Sequence, residues 1–203
     1  YVKHGPLWII LLNGMKRTRT IPLHKYNGTT IFSPYTVFTT MLEIQIADNQ
    51  DRLDLNLAQI RGFAEYVLRQ EAVLHADISL AFVNDSSMIE LHRQYLNIDS
   101  TTDVLSFPLS DSETHLEGEV VVNTCQAYRV ATQNNWSPTS EMLLYTVHGL
   151  LHLCGFDDHT ENASRVMQDR QTELLEFTGV SPTFDQRLPK PISLTTETSS
   201  EEI

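Results

Sequence analysis

The chain has 203 residues, 41% of them hydrophobic, and a formal net charge of −12. That is enough for one domain with its own core, plus tails. Nucleic-acid binders tend to be basic, so this acidic balance counts against an RNA partner unless a local basic cleft or a bound cation offsets it.

Residues 1–40 hold five bases (Lys3, Lys16, Arg17, Arg19 and Lys25) and no acid. They are Thr-rich and show no sustained periodicity. They read as a disordered extension or as sequence upstream of the true start, with Met41 as an alternative initiator. The apolar run at residues 7–12 is short for a signal-peptide core. No apolar run in the chain approaches the roughly 18 residues of a membrane span. Residues 42–46 alternate and predict a half-buried strand. A helix follows over about 57–72, capped from Asp54 to Asn56, with Ile60, Phe63, Ala64, Val67 and Leu68 on one face. Residues 78–83 form a second strand. Asn84 or Asp85 caps a helix over about 86–97. A short strand at 104–107 is stopped by Pro108. The apolar run at 119–122 predicts a strand central in its sheet. Asn123 caps a helix over about 124–134.

Pro138 sits at a helix start, where proline is tolerated, with Thr139 or Ser140 as the cap. That helix is apolar on nearly every side to about Cys154, so it is the central buried helix. A last helix covers about 161–177. Beyond Gln186 the chain is Pro-, Ser- and Thr-rich and reads as a disordered acidic tail at 187–203. The fold expected is α+β: a mixed β-sheet of about four strands, covering helices, and one buried helix carrying histidines. The domain expected is 41–186.

The run from His148 to His159 is the most informative one. His148 and His152 are four apart and share a helix face. Gly155 can end the helix, and the chain then returns His159. Three neutral imidazoles with an open fourth position make a catalytic zinc site. Three buried imidazoles without a shared cation would each need partners in a dry site. The metal ligands expected are His148, His152 and His159, holding one Zn2+ per chain. Gly149 stands where zinc proteases carry their Glu general base, and it implies close approach by a neighbouring element or substrate. Asp157 and Asp158 lie on the return; either orients a ligand imidazole, assists the metal's water, or caps the next helix. Cys154 lies inside this run, so Cys125 and Cys154 read as reduced cytosolic thiols rather than a disulfide. Zinc lowers the pKa of its water from about 15.7 to about 7, which suits hydrolysis of esters or phosphodiesters.

A second polar stretch, Thr102-Asp103-Val104-Leu105-Ser106-Phe107-Pro108, precedes and forms the short strand. With Gly118-Glu119-Val120-Val121-Val122 and the run beginning His148-Gly149-Leu150-Leu151-His152-Leu153, it resembles the YbeY family of bacterial endoribonucleases. Order and spacing of all three segments match over 41–180. The resemblance implies a zinc-binding α+β fold and a single-strand-specific endonuclease. It implies maturation of the 3′ end of 16S ribosomal RNA and ribosome quality control in the cytoplasm. The partners implied are ribosomal RNA and ribosomal particles, with no DNA and no membrane. Asp157, Ser106 and Thr102 are the expected catalytic residues.

The chain departs from the family pattern twice. Aligned without a gap, the family's third histidine falls on Asp158. Either a one-residue insertion delivers His159 to the metal, which we favour, or Asp158 completes a site of two imidazoles and one carboxylate; both suit zinc. Leu96 stands where the family commonly has the arginine expected to meet an RNA phosphate. Arg93, nearly one helical turn earlier, is the candidate substitute. Two other readings compete: a peptide or ester hydrolase on the same site, and a non-catalytic ribosome-assembly factor with structural zinc. Acidic surfaces also dock basic ribosomal proteins.

Overall fold

The computed structural model describes residues 40–176, and the backbone of 25–26 and 29–30. The expected extension at 1–40, apart from those short pieces, and the tail at 187–203 lie outside the described residues.

Two short strands, β1 (Lys25–Tyr26) and β2 (Thr29–Thr30), pair antiparallel. The domain proper begins with β3 (Met41–Asn49), longer at both ends than the alternating run that predicts it. Helix α1 (Leu57–Gln70) is capped by Asn56, whose side chain accepts from the Gln59 N–H at 3.1 Å. Ile60, Phe63, Ala64, Val67 and Leu68 form its buried stripe, the face read from the sequence. Strand β4 (His75–Val83) starts three residues earlier than its apolar run, at His75, Ala76 and Asp77. Helix α2 (Asp85–Leu96) takes Asn84 as its cap and ends at Asn97 in the left-handed region, φ 57°.

Strands β5 (Val104–Pro108) and β6 (Leu116–Asn123) follow. Helix α3 (Thr124–Gln133) is capped by Asn123, as its sequence predicts. The central helix α4 (Pro138–Leu153) is capped by Ser137, not by Thr139 or Ser140. With proline occupying the first turn, the residue before it is the one left non-helical to accept from the Ser140 N–H. Helix α5 (Glu161–Glu176) closes the described chain.

The main sheet runs β3-β4-β6-β5. β3, β4 and β6 are parallel, and β5 is antiparallel to β6. The fold is thus the mixed four-stranded α+β arrangement expected, and β6 is an interior strand, as its unbroken apolar run requires. Helix α4 packs on β5 and β6 and against α1, α3 and α5. Eleven of its residues, from Glu141 to Leu153, are buried. Two glycines set its distance from the sheet. A Cβ on Gly149 would stand 2.4 Å from Val120 Cγ1, 2.9 Å from Val104 Cγ2 and 3.0 Å from Ser106 Oγ; one on Gly118 would stand 2.7 Å from Leu153 Cδ1. The close approach implied by Gly149 is therefore that of β5 and β6, and it holds the histidine-bearing turns against the sheet.

The opposite sheet face is partly covered by α2. Ala81, Val83, Met88, Leu105 and Val121 form a second apolar cluster there, with Leu91, Leu96 and Phe107 against it. Leu96 is therefore a packing residue.

Candidate metal centre

The last turns of α4 build the site. His148 and His152 are one helical turn apart and half-buried, with their Nε2 atoms 3.1 Å apart. The helix ends in a Schellman turn. Gly155 adopts φ 93°, its N–H reaches the His152 carbonyl at 2.9 Å, and the Phe156 N–H reaches the Leu151 carbonyl at 3.0 Å. That turn reverses the chain and aims the Phe156 carbonyl at His152 Nδ1, 3.1 Å away. The Nδ1–H donates to it, so the neutral ring keeps the Nε2 lone pair for another partner.

The returning segment brings Asp158 to the pair. Its Oδ2 lies 3.6 Å from His148 Nε2 and 3.9 Å from His152 Nε2. One ligand atom from each of His148, His152 and Asp158 lies within 4.8 Å of the others. Ligand atoms about 2.0–2.1 Å from a tetrahedral zinc lie about 3.3 Å apart, so a small contraction of this triangle suits the ion. The favoured third ligand, His159, is not in this group. Its side chain is 73% exposed, with Nε2 3.6 Å from Asp157 Oδ1 and Nδ1 3.9 Å from Asp158 Oδ1. The Asp157 carboxylate accepts the His159 N–H at 3.1 Å, a tight local turn. The return reaches the imidazoles at Asp158, and one residue later the chain is already in solvent. In this structure Asp158, and not His159, is the side chain grouped with the two imidazoles, while His159 is grouped with Asp157 and Asp158.

His148 borders a cavity of about 300 Å³, with Asp103, Glu141, Tyr145, Asp158 and Gln171 also on its wall. Burial, followed by the neighbouring His152, pushes the His148 pKa down, while Asp103 and Asp158 pull it up. The net direction favours the neutral ring that a metal requires. Gln171, from α5, meets His148 Nδ1 at 2.5 Å. Asp103 is fixed through Oδ1, which accepts from Thr102 Oγ1 at 3.0 Å and the Val104 N–H at 2.9 Å. Its carbonyl accepts the Asn123 N–H at 2.8 Å.

The other expected residues take up different tasks. Thr102 serves Asp103. Ser106 Oγ donates to the Gly149 carbonyl at 3.1 Å, tying β5 to α4. Asp157 orders the return. Arg93 pairs with Asp99 at 2.5 Å on the surface, 56% exposed, and does not border the cavity. The guanidinium joined to the loop before β5 belongs instead to Arg129. It grips Asp85, which in turn accepts from buried Asn123 at 2.9 Å. Asn123 also donates to Thr101 Oγ1 at 2.7 Å and the Thr102 carbonyl at 3.0 Å. The Arg129 hydrogen bonds, more than any other cause, lower the Asp85 pKa from 3.8 to about 2.

Sequence reasoning missed Asp103, Glu141 and Gln171 as residues of the site. Two of them carry a signal. Gln171 stands on the stripe Met167, Gln171, Leu174 and Leu175, and Glu141 on the buried face of α4. A polar side chain at a core position of a helical period needs a buried partner.

A second group, Asp77, His115 and Glu117, also brings three ligand atoms within 4.8 Å. It lies on the face of β4 and β6 turned away from α4. His115 Nε2 is 2.9 Å from Asp77 Oδ2 and 3.7 Å from Glu117 Oε1.

Residues 45–179 match the family model described as Endoribonuclease YbeY. The chain belongs to the YbeY family. It is 32% identical to the Endoribonuclease YbeY of Protochlamydia amoebophila over 131 residues, covering 63% of this chain and 87% of that one. With the Endoribonuclease YbeY of Acidothermus cellulolyticus it shares 33% identity over 148 residues, 66% of this chain and 90% of the other. The solution structure of TM1509 from Thermotoga maritima superposes with a TM-score of 0.51 at 26% identity, covering 66% of this chain and 87% of that one. The three sequence segments that resemble the YbeY family lie around one place in the fold: His148 and His152 on α4, Asp103 and Ser106 at β5, and Gly118 under Leu153.

Proposed function

We propose that this chain is a metal-dependent endoribonuclease, a phosphodiester hydrolase acting on single-stranded RNA, with residues 41–186 as its catalytic domain. The observation that carries it is the grouping of His148, His152 and Asp158 beside a cavity walled by further carboxylates, in a member of an endoribonuclease family. The substrate we assign is precursor ribosomal RNA at the 3′ end of the 16S species, met on ribosomal particles in the cytoplasm, with a role in ribosome quality control. Zinc is the ion we assign, since two imidazoles and one carboxylate with an open position form a catalytic zinc set.

A cavity bordered by Asp103, Glu141 and Asp158 repels a phosphodiester on its own. A divalent cation there inverts the local field. When bound, it supplies Lewis acidity that polarises the phosphodiester and activates water near neutral pH. The chain does the rest. His148 and His152 present neutral Nε2 atoms, and Asp158 presents Oδ2. Asp103, oriented by Thr102 and Val104 through Oδ1, takes up the proton released at the nucleophile. Ser106 and Gly149 hold α4 at the distance that keeps these groups together. A protease-type base is excluded at the residue after His148, because Gly149 is packed on Val120 with no room for a side chain. Among the described residues no helix is long and apolar enough to cross a membrane.

Cleavage of a 16S precursor fragment by the pure full chain tests this reading. Metal-stripped protein is expected to leave the RNA intact, and one equivalent of zinc is expected to restore cutting of single-stranded positions. Intact RNA with fully zinc-loaded protein overturns it. Binding to ribosomal particles without cleavage leaves an assembly factor in its place.

A further inference from the structure

Helix α2 covers only part of the sheet face turned away from α4. Paired residues of a ladder point to the same face, so the register sets this face in rows. Ala81, Val121 and Leu105 form a row packed under α2. The next row is Gln45, Ser79, Glu119 and Phe107, and the one after it Glu43, Asp77 and Glu117. These two rows are open: Glu43, Gln45 and Asp77 are exposed. An apolar ridge stands at their β5 end. Tyr95, in the last turn of α2, sets its ring against Phe107 with centroids 4.8 Å apart, yet stays 47% exposed. Leu109 follows Phe107 on the same face and is 66% exposed. A tyrosine, a phenylalanine and a leucine grouped at the surface and bordered by polar residues mark a contact site, unlike apolar side chains scattered singly.

The border of the ridge selects its occupant. Glu119 pairs with Phe107 across the ladder, and the Leu109 N–H donates to the Glu117 carbonyl, which sets Glu117 beside Leu109. Apart from His115 against Asp77, no cationic side chain stands on the two open rows. Such a field repels a phosphate backbone and attracts a cationic polypeptide. The free edge of β5 does not accept an added strand. Asp103 and Leu109 bond to β6, so by ladder alternation Val104, Ser106 and Pro108 turn their backbone groups outward. The Val104 N–H is already given to Asp103 Oδ1 at 2.9 Å, and Pro108 has none, which blunts the edge. The contact is therefore made on the face. We propose that this face docks a basic protein segment. Its apolar or aromatic side chain packs on Tyr95, Phe107 and Leu109, and its lysines or arginines lie over Glu117 and Glu119. The surface is across the sheet from His148, His152 and Asp158, so an occupant leaves the metal centre open. The proposal does not depend on the reaction assigned above.

The test is fluorescence anisotropy on the full chain with labelled peptides of about a dozen residues. One peptide alternates Lys and Arg with Ser around a central Trp. A second replaces the Trp by Ser, and a third replaces the bases by Glu. Wild type is expected to bind the first and to lose about tenfold or more with each of the others. Tyr95→Ala and Leu109→Ser are each expected to weaken the first peptide about 5–10-fold. The Leu109→Ser readout stands even if Tyr95→Ala fails to fold. Glu119→Lys is expected to weaken it similarly, whereas Glu65→Lys, the same charge change on α1 across the sheet, leaves it unchanged. No binding by the wild type overturns the proposal. So does an equal loss in Glu65→Lys, which makes the attraction one of overall charge, or binding indifferent to both ridge variants. A dimer in sedimentation that Leu109→Ser disperses makes a second copy the occupant and overturns it. Displacement of the peptide by single-stranded RNA makes RNA the occupant and overturns it too. None of these readouts involves RNA cleavage, so each leaves the endoribonuclease reading to its own test.

Discussion

Among the described residues three groups of side chains could ligate a metal, one of them Asp157, Asp158 and His159 on the return itself, and the other two are built differently. His148, His152 and Asp158 lie against the α4 side of the sheet, next to a cavity. Asp77, His115 and Glu117 lie on the other face, with Asp77 exposed. Ladder register places Glu43, Asp77 and Glu117 side by side across three strands. Both groups offer imidazole and carboxylate, so ligand type alone does not separate them. The difference lies in what stands behind the ligands. In the first, a carbonyl and a buried amide hold the second nitrogen of each ring, and burial pushes one imidazole toward the neutral form. In the second, the histidine already has a carboxylate at 2.9 Å and water is at hand to screen the rest. A metal centre is distinguished by ligands whose other bonds are fixed and whose charge is left uncompensated in a partly dry site.

Substitutions should separate the two groups. The largest effect is expected from His148→Ala. It should lower metal affinity and cleavage by at least about a hundredfold while near-UV circular dichroism stays native; a protein that retains zinc would show the α4 group is not the centre. Next, Gly149→Ala should destabilise the fold by about 1–3 kcal/mol through overpacking, because its Cβ meets Val120 at 2.4 Å. Denaturant unfolding measures this, and unchanged stability would mean α4 is not seated by that contact. A smaller effect tests the loop that carries Asp103. Asp85 is depressed from 3.8 to about 2, so its contribution is complete above pH 3.8 and is lost as pH falls towards 2. Arg129→Met should return its titration, followed by carboxyl NMR, to near the ordinary value. The smallest effect is expected from His115→Ala, which should leave bound zinc unchanged and shift stability by no more than about 0.5 kcal/mol. Loss of a metal equivalent in that variant would erase the distinction.

The expected architecture was legible because its signals are local. Periodicity gave the buried stripe of α1, the unbroken apolar run gave β6 its interior place, and the caps expected from Asp54 to Asn56, at Asn84 or Asp85 and at Asn123 announced their helices. Gly149 announced a close approach before its neighbours were known. Contacts across long stretches of chain were not legible. Gln171 reaches His148 from a different helix, and Arg129 reaches Asp85 across 44 residues; no spacing rule encodes such pairs. The third ligand was ambiguous for a geometric reason. Asp157, Asp158 and His159 all lie on one short return, and only the path set by Gly155 decides which side chain faces the imidazoles.

That choice is the central claim, and metal content tests it most directly. Elemental mass spectrometry on pure full-length wild type, Asp158→Asn and His159→Ala should find one equivalent of zinc in the wild type and in His159→Ala, and much less in Asp158→Asn. Zinc lost in His159→Ala and kept in Asp158→Asn would contradict the account and make this a three-histidine centre.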